Sequence, residues 1–306
     1  MLVGGVAILG VVLGVVAGFG AAMLWAFSAV VYRKGLEGDV DSVVANCFRA
    51  PLGFVVLFFL CLCSGKVGDL SRAMGNSRIM AILLIAVFIM NIVGDILYLT
   101  AIQKIGVSMA YPLSYTYPLA VALISSIILG FSIHYMVIVG TSISLIGIYV
   151  MSSERGGEGR YSSIGIMSAM GASFSWAIGI VIYSLLVLEA DPLIISALKL
   201  AVLILLSIPI LLICYMARKP RIDTKMILYI LLGGLLGVGL GDLVFYISLD
   251  NISASIASAL TTSAPFLSQI LACMFLGEKL TKNKMLGTLL IVIGLLLVII
   301  FALGNA

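Results

Sequence analysis

Long apolar runs alternate with short polar breaks along the whole chain. The runs lie at about 10–32, 42–64, 79–102, 107–131, 134–152, 163–188, 192–217, 224–249, 254–277 and 285–303. A membrane-spanning helix needs about 20 apolar residues, so this pattern predicts ten transmembrane helices. Alternating apolar and polar strand patterns are absent, which argues against a membrane β-barrel. The first run starts almost at Met1 but has no basic segment before it. It is read as a retained helix rather than a signal peptide.

The pattern is doubled. Gly94-Asp95 recurs as Gly241-Asp242, Pro118 as Pro265, and Gly130, Gly140, Thr141 and Gly147 as Gly277, Gly287, Thr288 and Gly294, all at an offset of 147. Earlier in each copy, Gly20-Ala21, Trp25-Ala26 and Tyr32 recur as Gly171-Ala172, Trp176-Ala177 and Tyr183 at an offset of 151. Residues 1–152 form the first repeat, the polar, Gly-rich stretch 153–162 a linker, and residues 163–306 the second repeat. With five helices in each copy, the second enters the bilayer from the opposite side. The expected fold is therefore all-α and integral to the membrane, with ten helices as two five-helix repeats of inverted topology, an arrangement suited to alternating access.

Composition agrees. Of 306 residues, 63% are hydrophobic and 10% are charged, against about 25% charged in soluble domains. Lipid is the expected outer solvent. The net charge of +4 gives no reason to expect a nucleic-acid partner. The loops after helices one, three, five, seven and nine carry twelve Lys and Arg, and the opposite loops carry three. By the positive-inside rule this places both termini outside. The five cysteines all fall in apolar runs without metal-ligand spacing and are read as inert thiols. No His/Glu/Cys cluster implies a metal, no Ser/His/Asp set implies a hydrolase, and neither a cofactor nor an enzyme activity is expected. His134, alone at a helix start, is expected to have a capping or loop role.

Four charges stand inside apolar runs: Arg49 and Lys199 in the second helix of each half, Asp95 and Asp242 in the third. Each costs about 2.5–3.5 kcal/mol at a helix centre. They form a static ion pair within each half, or they face a shared cavity. Tyr98 shares a helix face with Asp95, and Tyr246 lies beside Phe245 at the matching place. Trp25 and Trp176 lie mid-helix, as packing or as a pocket wall. Pro118 and Pro265 are expected to kink their helices. The hydroxyls around them, including Tyr115 and Thr262, satisfy the kink or line the cavity. The two halves differ at Tyr111, Tyr115 and Tyr117 against Ser258, Thr262 and Ala264.

The segment from Ala254 to Thr281, with Ala-Pro-Phe-Leu and Gly-Glu-Lys-Leu-Thr, followed by Gly287 and Gly294, resembles the EamA-type signature of the drug/metabolite transporter superfamily. The Trp25 and Trp176 regions are similar to the starts of its repeats. The resemblance implies a ten-helix inverted-repeat transporter of small metabolites, with helices five and ten beside the cavity and both termini in the cytoplasm. The first half departs from it, having Gly130-Phe131 where the signature has Gly-Glu, so Glu278 is given a structural role. Helices one and six hold no acidic residue, so the proton-coupling Glu of the small four-helix multidrug relatives has no counterpart.

The expectation is a multi-pass transporter of the cell membrane, a monomer or homodimer, moving a small polar metabolite such as an amino acid. Its candidate substrate contacts are Trp25, Arg49, Asp95, Tyr98, Tyr111, Tyr115, Trp176, Lys199, Asp242, Tyr246 and Thr262, and a coupling ion of unspecified identity is left open. Export of amphipathic drugs or toxic metabolites is the alternative within transport. A non-transporting receptor or scaffold is the alternative outside it.

Overall fold

A computed structural model describes residues 2–35, 40–105, 113–130, 134–152, 162–218, 223–276 and 281–304. Helices fill nearly all of these residues, and no strand is present among them. Seven helical stretches are long and apolar enough to span a bilayer: Ile8–Tyr32, Val43–Cys63, Ser77–Tyr98, Ser163–Glu189, Pro192–Ala217, Thr224–Asn251 and Lys282–Phe301. Tyr117–Ile128 and Tyr135–Val150 are apolar but shorter.

Ten uninterrupted helices are not what the described residues form. The chain opens with α1 (Leu2–Gly35). Asp41 then caps α2 (Ser42–Cys47), its carboxylate accepting from the Val43 and Val44 amides at 2.9 and 3.3 Å. Pro51 opens α3 (Pro51–Cys63). Proline has no N–H to continue the ladder, so the chain turns at 48–50 and the run over 42–64 is two helices. The amphipathic α4 (Val67–Gly75), absent from the expectation, follows.

The third helix is α5 (Ser77–Val87) and α6 (Asp95–Ile105), joined by a π-helical turn at Phe88–Gly94. Next come α7 (Tyr117–Leu129) and α8 (Tyr135–Ser152). The second half holds α9 (Ser163–Glu189), α10 (Pro192–Arg218) and α11 (Thr224–Gly234). A second π turn, Leu235–Gly241, leads into α12 (Asp242–Asn251). The π turns obey the same offset of 147 as the Gly-Asp pairs. The ninth run is broken into α13 (Ala254–Leu260), a 3-10 turn at Thr261–Ser263 and α14 (Ala264–Leu276). The last helix is α15 (Lys282–Gly304).

The expected proline kinks are replaced by helix starts. Pro118 lies in the first turn of α7, and Pro265 is the second residue of α14. Proline is favoured there because those amides have no intrahelical partner. Among the described residues, Pro209 lies inside a helix, α10. Pro112 and residues 153–161 of the linker lie outside the described residues.

Small residues let the halves pack closely. A Cβ on Gly14 would meet Ile252, one on Gly20 Val244 and one on Gly35 Tyr229, so α1 runs antiparallel to α11 and α12. Likewise Gly171 lies against Leu97 and Gly179 against Met90, which sets α9 antiparallel to α5 and α6. Helix α8 packs on its own repeat copy, α15. A Cβ on Gly140 would lie 2.5 Å from the Gly294 carbonyl oxygen, and one on Gly147 2.5 Å from that of Gly287. The repeated glycine ladder is thus a close antiparallel crossing of two backbones. His134 caps α8, its Nδ1 accepting from the Met136 amide at 3.3 Å, and its ring stacks on Phe301. Cys47 and Cys61 are buried free thiols, and Cys63, the last residue of α3, is exposed.

Candidate functional site

The repeat fixes the site. Each aspartate opens the helix that follows a π turn, and each meets a base from its own half and a tryptophan from the other. Asp95 accepts from Arg49 Nη1 at 2.9 Å on one oxygen and from Trp176 Nε1 at 2.9 Å on the other. Asp242 accepts from Lys199 Nζ at 2.5 Å and from Trp25 Nε1 at 2.9 Å. The glycine before each aspartate makes room for the indole. A Cβ on Gly94 would lie 2.9 Å from Trp176 Cδ1, and one on Gly241 2.7 Å from Trp25 Cδ1. The repeated Trp and Gly-Asp are therefore one interlock, made twice across the interface. The aromatic neighbours repeat too, with Tyr98 5.0 Å from Trp176 and Phe245 5.2 Å from Trp25, ring centre to ring centre.

The π turns leave a carbonyl free at equivalent places, Asn91 and Val238, and each finds a side chain from the second helix of its half. Asn46 donates to the Asn91 carbonyl at 3.1 Å, and Lys199 donates to that of Val238 at 2.7 Å. Lys199 thus does alone what Asn46 and Arg49 share. Arg49 lies in the turn that Pro51 imposes, where its Nε donates to the Tyr32 hydroxyl at 2.9 Å and its Nη1 also reaches Asn46 Oδ1 at 2.8 Å. Its Nη2 makes no hydrogen bond among the described residues. The turn fits because Gly234 faces it: any Cβ there would strike the Arg49 carbonyl.

These groups enclose a cavity of about 210 Å³ between the halves. It reaches from the aspartates at mid-helix to Tyr32 and Ala45, at one end of their spans. Seven of the candidates, Trp25, Arg49, Asp95, Tyr98, Tyr115, Trp176 and Asp242, line it. Lys199, Tyr246 and Thr262 do not. Lys199 is sealed behind Asp242 at 0% exposure, whereas the side chains of Arg49 and Asp95 keep 20% and 11%. Tyr246 is buried against Tyr183, their rings 4.7 Å apart. The Thr262 hydroxyl bonds back to the Ala259 carbonyl at 2.8 Å, the local satisfaction of a helix break. Tyr111 lies outside the described residues.

Tyr32, Asn46, Asn91 and Tyr117 also line the cavity and were not among the candidates. Their signal was present, since an Asn one turn before Arg49 and another one turn before Asp95 are polar residues in apolar runs. The three tyrosines that crowd Trp176, namely Tyr98, Tyr115 and Tyr117, make the wall one-sided. Thr262 and Ala264, the counterparts of Tyr115 and Tyr117, are fully buried.

A bundle of apolar helices holding charged and aromatic groups in a mid-span cavity between two repeats has the form of a membrane transporter. Comparison with known proteins makes this specific. Residues 12–153 and 163–300 each match the EamA-like transporter family, and the chain belongs to that family. An uncharacterized transporter of Archaeoglobus fulgidus is 27% identical over 92% of this chain and 95% of its own length. The uncharacterized transporter YoaV of Bacillus subtilis is 23% identical over 93% and 95%. A solved crystal structure superposes with a TM-score of 0.79 at 18% identity, covering 94% of this chain and 97% of that one, which is a likeness of fold.

Proposed function

We propose that this transporter works by alternating access in the cell membrane and carries a small polar metabolite, an amino acid or a related zwitterion. The observation behind this is the Nη2 of Arg49, a guanidinium nitrogen without a hydrogen bond among the described residues, in a cavity beside the Asp95 carboxylate. A carboxylate entering the cavity gains a charge-assisted hydrogen bond there. An ammonium group finds Asp95 and the face of Trp176. Trp25, Tyr98 and Tyr115 enclose the rest of the cargo, while Asp242 and its sealed partner Lys199 act from the second half. The antiparallel packing of α8 on its copy α15 supports inverted repeats, and these supply the two related states that alternating access needs. The aromatic lining favours one second reading, export of amphipathic compounds, in which tyrosines rather than Arg49 dominate binding.

Thermal unfolding of the purified protein against a panel of amino acids and related carboxylates tests the assignment. A ligand at 100 times its Kd stabilises by about 2.7 kcal/mol. Replacing Arg49→Gln is expected to weaken that ligand about tenfold or more, since a hydrogen bond to a charged group contributes about 1.5–3 kcal/mol. Stabilisation only by amphipathic cations, unchanged in Arg49→Gln, would establish the second reading instead.

A further inference from the structure

The two charge stations are built from different bases, and the difference has a chemical consequence. A guanidinium keeps its proton under all physiological conditions, whereas a lysine ammonium can release one. Arg49 faces the cavity; Lys199 is wholly enclosed. Resting on the alternating-access reading above, we propose that Lys199 and Asp242 form the coupling-ion site and that the ion is a proton carried on Lys199 Nζ.

The ammonium occupies the place a metal cation would take. Its ligands are one Asp242 oxygen at 2.5 Å and the Val238 carbonyl freed by the π turn at 2.7 Å, with the Tyr246 ring 5.4 Å away. Carboxylate and carbonyl oxygens on a broken helix suit a sodium ion equally well, but here the lysine nitrogen already fills the position. The exchangeable ion at this site is thus the ammonium proton. Other charges acting on Lys199 are the Arg49–Asp95 pair of the first half, and Tyr183 stands behind Tyr246.

Proton loss breaks one N–H bond, leaves the electron pair on nitrogen and sends the proton to water. The station then changes from a neutral ion pair to a single buried carboxylate. An unpaired buried charge is strongly disfavoured, so deprotonation drives the second half to open this station to water, and protonation lets it seal again. Asp242 passes the change across the interface, because its other oxygen holds Trp25 of the opposite half.

The chain has two tryptophans, and each reports one station. In the Trp176→Phe protein, Trp25 emission is expected to show one titration step on varying pH, a step that a lysine can supply and a guanidinium cannot. Adding Lys199→Arg should abolish that step while leaving the protein folded by circular dichroism. The Trp25→Phe protein, in which Trp176 reports on Asp95 and Arg49, should show none. If Lys199→Arg does not fold, the pair removed together as Lys199→Met with Asp242→Leu serves as the silent control. A flat Trp25 signal, a step that survives these substitutions, or an emission change on replacing choline by sodium would overturn the proposal. The readout needs no cargo, so its failure is separate from a failure to find a substrate.

Discussion

At the scale of single residues, the interlock of Trp, Gly and Asp accounts for what the two halves share. Replacing Gly241→Ala would place a methyl group 2.7 Å from Trp25 Cδ1 and 2.8 Å from the Leu236 carbonyl oxygen. Overpacking of this kind costs about 1–3 kcal/mol. The variant is expected to unfold at a lower temperature, whereas Gly68→Ala, where a Cβ meets nothing within 4 Å, should stay near wild type. Arg49, Asp95, Lys199 and Asp242 were legible in the sequence because a charge inside an apolar run is too costly to be incidental. Which of them face the cavity was not legible. That depends on Asn46 relieving Arg49 of a carbonyl that Lys199 must satisfy by itself, a division visible only once side chains are placed. Thr262 stays outside the cavity lining for a related reason, since a hydroxyl near a helix break can bond its own backbone as readily as a ligand.

At the scale of elements, apolar length revealed where helices lie but not where they break. Pro51 and the π turns interrupt runs that stay apolar overall despite a charge in each, so mean hydropathy does not register the breaks. The same elements set two ion pairs at the end of the bundle away from Tyr32. Lys66, in the bend before α4, pairs with Asp191, which precedes α10. Arg78 of α5 pairs with Glu189 of α9 at 3.0 Å. Both pairs join the first half to the second. The side chains of Lys66 and Asp191 are each 35% exposed, so the coupling is modest. A double-mutant cycle of Lys66→Ala and Asp191→Ala, read by thermal unfolding, is expected to give a coupling of about 0.2–1 kcal/mol that shrinks in high salt.

At the scale of the whole molecule, symmetry and its breaking have separate tasks. The matched parts, namely the glycine crossing of α8 and α15, the paired π turns and the two Trp–Asp bonds, hold two related halves together. The unmatched parts, with Arg49 against Lys199 and, among the described residues, three tyrosines around Trp176 against one phenylalanine beside Trp25, make the cavity one-sided. The most direct measurement is efflux from proteoliposomes loaded with a mixture of amino acids and read by mass spectrometry. The account predicts that the wild-type protein depletes at least one species faster than protein-free vesicles do, and that Arg49→Gln slows this about tenfold or more. If folded, reconstituted protein depletes none of them, the assignment of a polar metabolite to this cavity is contradicted.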